Sequence, residues 1–123
     1  MEGLLLLNKP LGKTSFFLIS YLRKLTGVKK IGHIGTLDPL ATGVMGLLIG
    51  RTYTRKAPSL MGLDKEYRAT LFLGASTETY DREGAVTFSS PYIPLLQEIE
   101  EKLSSFQGEV LQTPPMFSAI KIG

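Results

Sequence analysis

An α+β fold, with a mixed and largely antiparallel sheet carrying packed helices, is predicted for this chain by three features. Short apolar runs bounded by glycine and proline read as strands, two stretches place apolar residues at helical spacing, and the strand candidates fall in hairpin-like pairs. At 123 residues, with 43% hydrophobic and 20% charged content, the chain has the make-up of one ordinary globular domain with a sizeable core.

Gly3 to Asn8 holds four consecutive leucines and is expected as a buried strand, because the breakers Pro10 and Gly12 favour a short strand over a helix. Gly12-Lys13-Thr14 looks like the end of a phosphate-binding loop. That pattern needs a glycine at position 7, where the chain has Leu7, so an NTPase site is excluded. Thr14 or Ser15 can cap a helix running to about Thr26, with Phe16, Ile19, Leu22 and Leu25 on its apolar stripe and Gly27 as terminator. This helix is expected to pack on the first strand.

Val44 to Ile49 reads as a buried strand. Arg51 to Met61 is expected as a short helix or irregular connector interrupted by Pro58, followed by a turn at Gly62-Leu63-Asp64. Lys65 to Leu73 alternates, with Tyr67, Ala69, Leu71 and Leu73 on one face, and is predicted as a strand. Gly74 to Gly84 is turn-rich, and Ala85 to Phe88 is expected to pair back on Lys65 to Leu73 as a long hairpin. Pro91 and Pro94 introduce an amphipathic helix from Leu95 to Phe106, carrying Leu96, Ile99 and Leu103 and ended by Gly108. Beyond the breaker Thr113-Pro114-Pro115, Met116 to Ile122 has strand character.

The chemistry is expected between Gly32 and Gly46, where glycines and Pro39 hold the chain's one histidine, His33, near Asp38. Pro39 fixes its own φ and pushes Asp38 out of the α region, so the carboxylate sits on a stiff loop. Such a group can serve as nucleophile, base or electrostatic stabiliser. An aspartate before proline also serves as an ordinary turn residue, and a lone histidine beside a glycine loop is often structural. Tyr67 fits either a core aromatic or a stacking platform. Spacing alone leaves these pairs of readings open.

The absence of cysteine excludes a disulfide framework and thiolate metal sites, and one histidine is too few for a usual zinc set. No cofactor and no metal are therefore expected. Leu4 to Leu7 is too short for a membrane span and lacks the flanks of a signal peptide, which points to a cytoplasmic protein. The net charge of +3 conceals an asymmetry: residues 1 to 56 hold nine Lys/Arg against two acids, a net of +7, and residues 57 to 123 hold five against nine, a net of −4. Lys29-Lys30, Arg51 and Arg55-Lys56 flank the glycine-rich loop in sequence, as a surface for a polyanion would.

Taken in order, Gly3 to Pro10 with Gly12 and Ser15, Gly32-His33 through Gly43, Lys65-Glu66-Tyr67, Leu73-Gly74 with Thr77, Thr79, Tyr80, Asp81 and Gly84, and Gln112 to Lys121 closely resemble the bacterial TruB-type tRNA pseudouridine synthases. Tyr53-Thr54-Arg55 departs from that pattern by one place. The resemblance spans nearly the whole chain and implies a pseudouridine synthase-like fold. It implies isomerisation of the uridine at position 55 in the TΨC loop of tRNA, with Asp38 as the catalytic carboxylate. His33, Tyr67, Lys9, Gly35 and Thr36 would then bind substrate, and Lys29, Lys30 and Arg55 the RNA backbone. It further implies that residues 1 to 123 are the N-terminal part of a catalytic domain. An arginine motif and a C-terminal RNA-binding extension would lie beyond them. The expected partner is the TΨC stem-loop of tRNA, bound by a monomer without metal or membrane. The alternative is a noncatalytic RNA-binding fragment of the same fold.

Overall fold

The computed structural model divides into two compact units, Met1–Glu66 and Tyr67–Gly123, and describes residues 1–114. In the first unit, β1 (Gly3–Lys9), β2 (Ile31–Ile34) and β3 (Gly43–Ile49) form an antiparallel sheet in the order β1-β3-β2. The central strand is the most apolar: Met45 to Ile49 are buried on both faces, as a strand flanked on both sides requires. Opposed pairs share a face, so Leu5 and His33 lie across from Leu47, Leu7 from Met45, and Ile31 from Ile49.

That face is covered by α1 (Ser15–Thr26), whose ends follow the sequence closely. Thr14 Oγ1 accepts from the Phe17 amide at 3.1 Å, and Gly27, at φ +73°, turns the chain out of the helix while its amide donates to the Arg23 carbonyl at 2.9 Å. The buried stripe differs from the expected one. Ser15, Leu18, Ile19 and Leu22 face the sheet, whereas Phe16 and Leu25 are exposed. Leu18, Ile19 and Leu22 close a core with Ile31, Met45, Leu47 and Ile49, and Leu5, Leu7, Val28 and Leu37 pack against it.

On the opposite face, a methyl group at Gly46 would come within 2.8 Å of Ile34 Cδ1, so the glycine makes room for that side chain. Two short helices follow β3: α2 (Arg51–Thr54) and α3 (Ala57–Met61). Pro58 lies in the first turn of α3, where its missing amide has no helical partner to lose, so it opens a helix where an interruption is expected.

In the second unit, β4 (Ala75–Thr77) pairs antiparallel with β5 (Val86–Ser89), with a bulge between Ser76 and Thr77. This corrects the expected hairpin. Lys65 to Leu73 is not a strand, and the partner of β5 is the stretch read as a turn. Alternation supplies a two-sided pattern, but a strand also needs a ladder, and none joins Lys65 to Leu73 among the described residues. The helix α4 (Leu96–Ser104) has Ile99 half-buried and ends earlier than Phe106. Leu71, Leu73, Pro94, Ile99, Leu103 and Phe106 line an open groove of about 670 Å³. The expected strand at Met116 to Ile122 lies outside the described residues.

Among the described residues, no helix is long and apolar enough to cross a membrane. Leu47 has no accessible surface. In the full-length protein, Leu47→Ala is expected to lower unfolding free energy in urea by about 2–5 kcal/mol, while Val44→Ala, on an exposed neighbour, changes it by less than about 0.5 kcal/mol.

Candidate active site

Residues 35 to 42 connect β2 to β3 at one end of the sheet and carry Asp38 at their centre. Gly35, at φ +73°, provides the left-handed turn that ends β2, a conformation a side chain would strain. The loop is then fixed on both sides of the aspartate. Before it, Ser15 Oγ donates to the Leu37 carbonyl at 3.1 Å and accepts from the Leu37 amide at 3.0 Å. After it, the Pro39 carbonyl accepts from the Gly12 amide at 2.8 Å and from Lys9 Nζ at 3.4 Å. The Ala41 amide donates to the Asp38 carbonyl at 2.9 Å, closing a turn with Pro39 at its second position.

Asp38 is thus a turn residue as well as a chemical candidate. An aspartate that only makes a turn uses its carboxylate as acceptor, but this turn closes through the backbone and the side chain is exposed. Among the described residues, no hydrogen bond holds the carboxylate, which is presented on a fixed loop without being used to fix it.

Lys9, expected to bind substrate, is enclosed by backbone of its own chain. Its side chain is fully buried, and Nζ donates to the carbonyls of Pro10 at 2.9 Å, Lys13 at 2.6 Å and Pro39 at 3.4 Å. An ammonium has three donors, and here three carbonyls accept them. Lys9 therefore joins the end of β1 to the aspartate loop. Ser15 is the residue that sequence reasoning missed. It counts there as a possible helix cap and as part of the family's pattern, and no local pattern links it to Leu37.

His33 lies on β2, half-buried, on the face shared with Leu47. Its Nδ1 is bonded to the Gly35 carbonyl. A carbonyl only accepts, so Nδ1 carries the proton and the ring is held against the turn that leads to Asp38, leaving Nε2 for another partner. Thr36 is exposed between Gly35 and Leu37. Tyr67 is exposed and opens the second unit.

The basic residues sit elsewhere than their place in the sequence implies. Lys29 and Lys30 precede β2, and the Gly50 amide donates to the Lys30 carbonyl at 2.8 Å, which brings Lys30 next to Arg51. This is the end of the sheet where Ile31 pairs with Ile49, and the Asp38 loop leaves from the other. Six residue steps of β3 separate the ends, about 20 Å at 3.3–3.4 Å per residue. Lys29, Lys30 and Arg55 are exposed. Among the described residues, no group of three His, Asp or Glu side chains is placed to hold a metal ion.

In the second unit, the motif from Thr77 to Gly84 forms a self-bonded loop. Thr79 Oγ1 donates to Asp81 at 2.6 Å and the Glu83 amide at 2.9 Å, and these two bonds hold the Asp81 carboxyl below its ordinary pKa. A methyl group at Gly84 would come within 2.3 Å of Thr79 Oγ1, which explains the glycine.

Residues 23–123 match the model of the TruB family pseudouridylate synthases, N-terminal domain. The chain belongs to this family. Among TruB relatives, it is 58% identical over 121 residues to a protein of Protochlamydia amoebophila named tRNA pseudouridine synthase B, covering 98% of this chain and 46% of that protein. It is 54% identical over 122 residues to the protein of that name from Chlamydia muridarum, covering 99% and 51%. With the one from Clostridium novyi it shares 48% over 122 residues, covering 99% and 42%. The chain thus spans about half the length of these relatives.

Ser15→Ala removes both bonds to the half-buried Leu37 and leaves its amide and carbonyl without these partners. In the full-length TruB-family protein, this is expected to cost about 1–3 kcal/mol of stability. Amide exchange at Leu37 should accelerate more than exchange at Leu18 in the middle of α1, as read by hydrogen–deuterium exchange.

Proposed function

We propose that the longer protein to which this chain belongs converts uridine to pseudouridine at position 55, in the TΨC loop of tRNA, and that residues 1–123 are the N-terminal part of its catalytic domain. The observation that carries this reading is the Asp38 carboxylate, exposed on a loop hydrogen-bonded on both sides, in a chain of the TruB family. The reaction is an isomerisation. The bond from uracil N1 to the ribose anomeric carbon breaks, a bond from C5 to that carbon forms, and the C5 proton is lost as N1 gains one. Asp38 supplies the carboxylate needed to detach the base, and the site retains the uracil until it rejoins.

A uridine inside a folded RNA loop must first leave its stack, at a cost of a few kcal/mol. His33, with Gly35 and Thr36, lies on the approach to Asp38 and is assigned to holding the RNA loop open around the everted base. Tyr67 is assigned to stacking on that base and assisting proton transfer. Lys29, Lys30 and Arg55 follow the phosphates. Their distance from Asp38 fits contact with RNA beyond the flipped nucleotide.

The test is pseudouridine formation on a tRNA transcript by the full-length protein, read by chemical tagging that locates the modified position. Asp38→Asn keeps the side-chain volume and is expected to abolish conversion while leaving tRNA affinity within a few fold. Turnover near the parent rate would remove Asp38 from the mechanism, and intact binding without conversion by the parent would favour a noncatalytic RNA-binding protein. Tyr67→Phe is expected to slow conversion and preserve binding.

Salt supplies an independent check. Replacing Lys29 and Lys30 by alanine should lower the slope of log affinity against log salt by up to about 2, since each phosphate contact contributes about one unit. An unchanged slope would place the RNA backbone elsewhere.

A further inference from the structure

The outer side of α1 is unusual for a helix on a small sheet. Phe16, Phe17 and Tyr21 are 58%, 39% and 55% exposed; Phe17, Tyr21 and Leu25 form one row at successive turns, and Phe16 lies about 100° round the helix from Phe17. Phe17 and Tyr21, one helical turn apart, stack with centroids 6.5 Å apart at 27°. Lys13 Nζ lies 4.8 Å from the Phe17 ring centre, and the Arg23 guanidinium 5.7 Å from that of Phe16. Core formation explains none of these rings, because the buried stripe of α1 runs through Ser15, Leu18, Ile19 and Leu22.

The charge around the rings has one sign. Between Glu2 and Asp38 the chain contains no acidic residue, while Lys13, Arg23, Lys24, Lys29 and Lys30 are all exposed. Exposed rings interleaved with cations and free of acids suit a nucleic-acid strand, whose bases stack and whose phosphates pair. An apolar protein partner would gain the rings but meet a cluster of uncompensated positive charge.

The placement of α1 agrees. Ser15, at its start, is bonded to the Asp38 loop, and Arg23, near its end, donates from Nε to the Lys29 carbonyl at 2.9 Å. The twelve residues of α1 span about 18 Å. The helix that carries the rings therefore runs from the carboxylate end of the sheet to its lysine end.

We propose that the Phe17 and Tyr21 ridge of α1, with Lys13 and Lys24, is a stacking surface for unpaired nucleotides of the RNA substrate. This rests on the reading of the protein as a tRNA-modifying enzyme. It adds a contact surface on α1 to the loop residues and phosphate-binding lysines already assigned.

The experiment uses the full-length protein and a tRNA transcript, comparing the parent, Phe17→Ala/Tyr21→Ala and Asp38→Asn. Phe17 is only 39% exposed, so the double variant is expected to melt somewhat lower than the parent, and binding is compared at a temperature where circular dichroism shows both folded. The variant's affinity should fall about tenfold, with KM raised and kcat close to the parent value. Ultraviolet crosslinking should attach RNA to the tryptic peptide from Thr14 to Arg23. Unchanged affinity with no crosslink in that peptide, in a parent that binds and converts the transcript, would overturn the ridge and leave the enzymatic reading intact. A parent that neither binds nor converts the transcript would overturn both. A double variant with parent RNA affinity but altered sedimentation would assign the ridge to a protein contact and overturn the proposal.

Discussion

The position of Asp38 depends on hydrogen bonds to backbone groups on either side of it, made by two buried polar side chains and one amide. Ser15 bonds both the amide and the carbonyl of Leu37, and Lys9 and the Gly12 amide share the Pro39 carbonyl. Each group would be costly to bury unpaired, an ammonium most of all, so the loop and its anchors are satisfied together or not at all. This reciprocity gives a glycine-containing loop a defined shape. The segment from Pro10 to Thr14 also joins the anchor at both ends, because the Lys9 ammonium and the Gly12 amide meet there. The carboxylate is consequently held by the same contacts that join β1 to α1.

The sheet then acts as a spacer. Its antiparallel pairing places the Asp38 loop at one end and Lys29, Lys30 and Arg51 at the other, with the buried length of β3 between them. A ligand that meets both ends must extend about 20 Å. An RNA stem-loop has that reach, and a free nucleoside does not. On the proposed reading, the division also separates two requirements: charge that attracts a polyanion lies away from the anionic carboxylate, where it would otherwise compete as a direct partner.

Much of this was legible in the sequence where a local cause acts. The cap at Thr14, the left-handed exit at Gly27 and the apolar run of β3 each follow from the residues at those positions. The family, through its ordered motifs, was legible as well. What sequence spacing missed has non-local causes. Ser15 is buried through a partner 22 residues away, so a hydrophobic stripe through Phe16 misplaces the inner face of α1. Lys9 resembles a surface lysine until the carbonyls around it are known. Lys30 and Asp38 are close in sequence, but a strand runs between them and carries them to opposite ends. Lys65 to Leu73 has the alternation of a strand and no ladder among the described residues, which pattern alone cannot reveal.

On the proposed reading, the exposure of Asp38 within residues 1–114 also states what the RNA and the rest of the protein must contribute. A carboxylate open to water is hydrated, and its charge is weakened there by a high dielectric. Fixing the loop supplies orientation but leaves the water in place. An everted uracil lying over the carboxylate would exclude that water and strengthen every charge interaction at the anomeric carbon, so the substrate supplies part of the low-dielectric environment its own conversion requires. A site of this kind discriminates through the flip itself: a uridine that remains stacked leaves the carboxylate hydrated. Loop rigidity and substrate flipping are then complementary, since a mobile aspartate would need ordering at the moment when binding energy is already being spent on unstacking.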